Sequence, residues 1–161
     1  MILPVLKAPH PWLRNKSQPV DNIMSADFQD WLDQLYETMR QEDGVGLAAR
    51  QVGREEDVFV IDYGHGPMFF INAKIIHKSK KQNEDEEGCL SVPGVYGMVK
   101  RSVSLVIKYY DRQGQWHIKR FKDLAARIIQ HEKDHNLGIL FIDKVTRYTA
   151  GEELLTSYQD A

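Results

Sequence analysis

The sequence predicts an α+β fold on three observations. Two segments, one early and one late, carry apolar residues at helical spacing. The chain between them breaks into short runs rich in β-branched and aromatic residues. No repeat, low-complexity tract or linker interrupts the order helix, several strands, helix. After a proline-containing arm, Ser25 is placed as a helix N-cap, and Phe28, Trp31, Leu32, Leu35, Tyr36 and Met39 follow on one core-facing stripe. This helix is expected to end near Gly44, where Asp-Gly-Val-Gly lets the backbone turn. Strands are expected over residues 58–62, 68–71 and 73–77, separated by turn-forming Gly, Pro and Asn. Residues 103–110 and 115–121 flank Asp111-Arg-Gln-Gly114, a polar loop suited to a hairpin. Asp123 is expected to cap a second helix that runs to about Asn136, with Gly138 just past its end and Leu124, Ile128, His131 and His135 on one face. The only visible charge cluster is acidic, Glu84 to Glu87, and the polar tail after Thr146 is uninformative.

A chain of 161 residues is the length of one domain, expected here to span residues 1–161. An apolar share of 42% with 27% charged residues fits a soluble globular protein, and no apolar run is long enough to cross a bilayer. The start, Met-Ile-Leu-Pro-Val-Leu-Lys-Ala-Pro, lacks the basic flank and apolar stretch of a secretory signal, so a cytoplasmic location is expected. A net charge of −2 gives no basic balance, and neither direct nucleic-acid binding nor a membrane partner is expected. The one cysteine, Cys89, cannot form an internal disulfide; it is a buried thiol, a reactive thiol or a metal thiolate.

Gln130-His131-Glu132-Lys133-Asp134-His135 contains an HExxH pattern inside the helix placed by periodicity. Histidines four apart on a helix have Cβ atoms roughly 5–6 Å apart, near enough to share one ion. The glutamate between them can reach a water at that ion. A catalytic ion generally takes three protein ligands. Beyond His135 the chain offers Asp143, Glu152, Glu153 and Asp160 but no histidine, whereas Cys89 offers a strong transition-metal ligand. HExxH alone would also permit a metallopeptidase that cuts internal peptide bonds.

Three segments taken together, Gly44-Val-Gly-Leu-Ala-Ala-Arg-Gln51, Glu87-Gly-Cys-Leu-Ser91 and Gln130-His-Glu-Lys-Asp-His135, resemble the three signature motifs of the peptide deformylase family in order and approximate spacing. The resemblance reaches from the first helix to about Asp143. It implies short antiparallel or mixed sheets packed around a central HExxH helix. It implies hydrolysis of the N-formyl group from the N-terminal methionine of nascent polypeptides, with release of formate. By the same resemblance Cys89, His131 and His135 hold one divalent metal, usually ferrous iron, a site that zinc, nickel or cobalt also occupy. Glu132 becomes the acid/base, with Gln51 and the Leu90 N–H as oxyanion donors. Gly44, Val45, Gly46, Glu87 and Gly88 would lie along the peptide, and Leu124 and Ile128 beside its methionine. Arg101 is expected to pair with Glu87, and Asp134 to orient a ligand.

Three positions depart from the family pattern. Arg50 stands where relatives often have proline and is expected to alter the substrate entrance. Asn136-Leu137 displaces an apolar anchor by one position, and Asp85 stands near a position that is often apolar beside the cleft. Glu152, Glu153 and Asp160 give the tail little positive charge, so ribosome contact is expected to be transient at most. A monomer is expected. The departures leave a catalytically idle or altered-substrate paralogue as the alternative.

Overall fold

The computed structural model describes residues 1–159; Asp160, named above among the tail acids, lies outside them. The first helix, α1, is Ala26–Gln41. Ser25 Oγ accepts the Phe28 N–H at 3.3 Å, satisfying one of the donors a helix start leaves free. The helix stops three residues before Gly44, whose N–H closes the turn onto the Met39 carbonyl at 2.9 Å. Ser25→Ala should lower stability by about 1 kcal/mol, read as a shifted urea midpoint with unchanged slope.

Eight strands follow: β1 Gly46–Ala48, β2 Val58–Ile61, β3 Met68–Lys78, β4 Gln82–Cys89, β5 Val92–Ser102, β6 Ser104–Tyr110, β7 Trp116–Lys122 and, beyond the second helix, β8 Val145–Ala150. Helix α2 is Asp123–Asn136, and a short α3 is Leu155–Gln159. The strands make a five-stranded sheet in the order β1-β2-β3-β6-β7 and a three-stranded sheet in the order β4-β5-β8. Every pairing between these strands is antiparallel. The HExxH segment lies on α2.

Alternation divides the larger sheet. One face sends Phe59, Ile61, Phe70, Leu105, Ile107 and Tyr109 against Ala126, Ile128 and Ile129 of α2. The other sends Val58, Val60, Phe69 and Ile71 against Phe28, Trp31, Leu32, Leu35 and Met39 of α1. On this second face the α1 cover stops at Ile71, which pairs with Tyr110 of β6.

Two expectations are corrected and one element is added. The segments 68–71 and 73–77 are one strand. Asn72 takes a positive φ of 51° within a bulge and bonds both the N–H and the carbonyl of Val20, which compensates the interrupted ladder. Asp123 does not cap α2; it is the helix's first residue, with φ of 55° and its N–H on the Val103 carbonyl, while the capping position falls to Lys122. The acidic run Glu84 to Glu87, where the sequence reading placed no strand, belongs to β4, which has hardly any apolar alternation because most of its side chains face solvent. Its backbone ladder with β5 holds it, and Thr146 and Thr149 donate to Glu84 and Glu86 from the β8 side.

Candidate active site

Three pieces of backbone converge. β1 and the 3-10 turn Ala49–Val52 bring Gly46 and Gln51, the end of β4 brings Glu87, Gly88 and Cys89, and α2 brings Arg127, His131, Glu132, Asp134 and His135. The N-terminal arm ties the first two together: the Leu6 N–H donates to the Gln51 carbonyl at 2.7 Å and the Ala8 N–H to the Ser91 carbonyl at 2.8 Å.

One ligating atom each from Cys89, His131 and His135 lie within 4.8 Å of one another, with Cys89 Sγ 3.4 Å from His135 Nε2. His131 Nδ1 donates to Glu87 Oε1 at 2.8 Å, which leaves Nε2 for the centre of the group. Glu132 is buried beside them, and its Oε1 has no hydrogen-bond partner among the described residues; the same holds for His135 Nδ1. Gln51 is buried rather than exposed. Its Oε1 accepts the Ala48 N–H at 3.0 Å, and its Nε2 donates to Ser91 Oγ at 3.1 Å while facing Cys89 Sγ at 3.6 Å. Gly46 is needed by contact, because a Cβ there would lie 2.6 Å from Glu132 Oε2. Gly46→Ala should therefore displace the Glu132 carboxylate and reduce kcat by about 10²-fold, the penalty of a misplacement near 1 Å, with little change in thermal stability.

Glu87 organises the far side of His131. Arg101 Nε and Nη2 reach its two oxygens at 3.0 and 2.9 Å, and Arg127 Nη1 adds a bond of 2.6 Å. Arg101 Nη1 continues to Asp134 at 2.6 Å, and Lys144 Nζ lies 2.9 Å from the same carboxylate. Glu87, grouped above with the peptide-lining residues, is committed to this network. Burial pushes its carboxyl up, but the bonds from His131 and Arg101 outweigh it and hold the acid below the ordinary carboxylate range. Glu132 has no such bonds, and burial pushes it up to about 7, the Glu87 charge adding to the effect of burial against the opposing His131. Burial disfavours a charge on His131, yet the Cys89 thiol and Glu87 reverse the balance and raise its pKa, whereas burial and the neighbouring His131 hold His135 well below the ordinary imidazole range.

A cleft of about 470 Å³ opens onto this group, and Gly44, Val45, Leu90, Leu124 and Ile128 line it as expected. Tyr96, a liner that the sequence reading missed, packs its ring against Gly88, where a Cβ would come within 2.5 Å of it. Ser91, Phe141 and Arg127 were also missed; Phe141 stacks on His131 at 6.0 Å between centroids. Arg127 carried a signal, because it sits one turn before His131 in an otherwise apolar stretch of α2.

The departures fall elsewhere than expected. Arg50 does not line the cleft; it is buried over the Trp12 ring and donates to the Lys16 carbonyl. Asp85 is exposed on β4, away from the cleft lining. Leu137 supplies no displaced anchor: it is 42% exposed, while Asn136 is buried and bonds Asp57 and Ser17.

The donor set fits a transition metal, since a thiolate and two imidazoles converge and the buried Glu132 carboxylate adjoins them, its Oε2 4.0 Å from His131 Nε2. An α+β frame carrying these groups at a cleft defines a metal-dependent hydrolase. The polypeptide deformylase family model matches residues 2–150, and the chain belongs to that family. The peptide deformylase of Caldanaerobacter subterraneus subsp. tengcongensis is 44% identical over 150 residues, covering 93% of each chain. The crystal structure of the Thermotoga maritima peptide deformylase superposes with a TM-score of 0.88 at 35% identity, covering 91% of this chain and 99% of that one. A Met-Ala-Ser-bound class I type b peptide deformylase from Acinetobacter baumannii gives 0.86 at 32% identity, covering 89% and 99%.

Proposed function

We propose that the chain removes the N-formyl group from the N-terminal methionine of nascent polypeptides as a single catalytic domain over residues 1–161, with Cys89, His131 and His135 holding one ferrous ion. The observation that carries the reading is the convergence of those three ligand atoms beside a buried carboxylate whose Oε1 has no partner among the described residues. A bound divalent ion supplies Lewis acidity and lowers the pKa of water towards ~7. Glu132 takes the proton of the attacking water at Oε1 and returns it to the leaving amine. Gln51 Nε2 and the Leu90 N–H donate to the oxygen that gains charge as the formyl carbon becomes tetrahedral. Glu87 fixes the tautomer and orientation of His131.

Gly44, Val45 and Gly46 on one side of the cleft and Gly88 on the other leave room for a peptide backbone to add as a strand, which reads main chain more than sequence. Leu124, Ile128, Val45 and Leu90 form the apolar wall beside the methionine. The Met-Ala-Ser held by the Acinetobacter relative supports this choice of substrate, being the product of deformylating formyl-Met-Ala-Ser. The enzyme works as a monomer in the cytoplasm, in transient contact with the ribosome. No helix among the described residues is long and apolar enough to cross a membrane.

The test is formate release from formyl-Met-Ala-Ser by protein purified without oxygen and loaded with ferrous iron, nickel or zinc. Turnover that a chelator abolishes and fresh metal restores is the expected result. Cleavage of internal peptide bonds, or metal uptake without formate, would instead select the metallopeptidase or the idle paralogue.

A further inference from the structure

The α1 cover ends at the Ile71–Tyr110 pair, and beyond it the same face of the larger sheet is open. Because Leu105, Ile107 and Tyr109 point into the core, Val106, Lys108 and Tyr110 point to the open side. Their direct partners on β7 share that side: Tyr110 faces Trp116, Lys108 faces Ile118, and Val106 faces Arg120. Lys122 follows at the next outward position, opposite Ser104, and Lys74 of β3 lies across from Lys108.

Two features characterise this surface, its cations and its exposed apolar rings and chains, and the second sets it apart from an ordinary solvated face. Lys74, Lys108, Arg120 and Lys122 make no ion pair among the described residues, although the chain as a whole is acidic, with a net charge of −2. Protection of the β7 edge against aggregation would account for lysines there. It does not account for Trp116 and Ile118, which are 54% and 50% exposed on that same edge strand beside the 37% exposed Tyr110. Exposed aromatic rings interleaved with cations on one open sheet face fit a ligand that offers stackable rings and regularly spaced anions.

We propose that the open face of β3, β6 and β7 binds a single strand of RNA, with bases stacked on Trp116 and Tyr110 and phosphates held by Lys74, Lys108, Arg120 and Lys122. The seven residues of β7 extend over about 24 Å, long enough for several nucleotides. The surface is made by β3, β6 and β7 and is separate from the catalytic cleft, where none of the three strands contributes a lining residue. A weak, salt-sensitive contact of this kind would hold an enzyme of nascent chains near RNA-rich machinery without occupying its active site.

The experiment is fluorescence anisotropy of a labelled oligouridylate of about 12 nucleotides titrated with nickel-loaded enzyme, from about 50 mM salt upward. Binding is expected to weaken with salt at a log–log slope of about −2.8 for four phosphate contacts at ~0.7 each. Trp116→Ala should weaken it roughly five- to a hundredfold by removing a stacking platform. Lys108→Ala with Arg120→Ala should flatten the slope by about 1.4. Formate release from formyl-Met-Ala-Ser should be unchanged in all of them. Absence of binding at the lowest salt, or binding indifferent to these substitutions, overturns the proposal. Self-association in sedimentation that Trp116→Ala abolishes, with no RNA bound, assigns the face to a second copy instead.

Discussion

Replacing Glu132 with Gln should lower kcat for formyl-Met-Ala-Ser by about 10²–10⁴, with metal content and KM close to those of the parent. The side chain is buried next to the ligand group, and its Oε1 meets no donor among the described residues, so the glutamine amide fits the same space but cannot accept and return a proton. Burial already disfavours the charged carboxylate, and loss of the charge should not destabilise the fold. Parallel measurement of kcat, KM and bound metal separates the roles. A fall in metal content would make Glu132 a ligand, and an unchanged kcat would remove it from the chemistry altogether.

Arg101→Met should be the most damaging substitution outside the ligand group, at about 3–5 kcal/mol of unfolding free energy. Arg101 is 3% exposed and joins two carboxylates, Glu87 on β4 and Asp134 on α2. Without it each carboxylate keeps one cation, Arg127 for Glu87 and Lys144 for Asp134, which places the expected loss near the lower bound. The urea midpoint measures this. Metal affinity should fall in the same variant by about 10–100-fold, because Glu87 would hold His131 less firmly. A loss of stability with unchanged metal affinity would show that the ion network braces the fold without tuning the site.

The parts of the molecule legible in its sequence are those in which one face of an element meets the core. α1 announced itself through the stripe Phe28 to Met39 and its Ser25 cap, and α2 through the same kind of signal together with HExxH. β4 was illegible for the complementary reason: its side chains Gln82 to Glu86 face solvent, and it is defined by backbone pairing that no side chain reports. Within the site, the group of Cys89, His131 and His135 could be read because three motifs coincide. Arg127 and Ser91 could not, since an arginine in a helix and a serine after a cysteine carry no partner's name until the chain folds. Arg50 was misread for a similar reason: its position beside Gln51 pointed to the cleft, but in a 3-10 turn adjacent side chains diverge.

The two bonds by which Leu6 and Ala8 clasp the Gln51 and Ser91 segments are made by main-chain N–H groups, and between them Lys7 Nζ donates to the Leu90 carbonyl at 2.9 Å. Sequence change at those two positions is accordingly cheap in one respect and forbidden in another. Any residue with an amide proton can hold the Gln51 and Ser91 segments together as long as its side chain fits the local packing. Proline, which has no such proton, removes the bond at either position however well its ring fits.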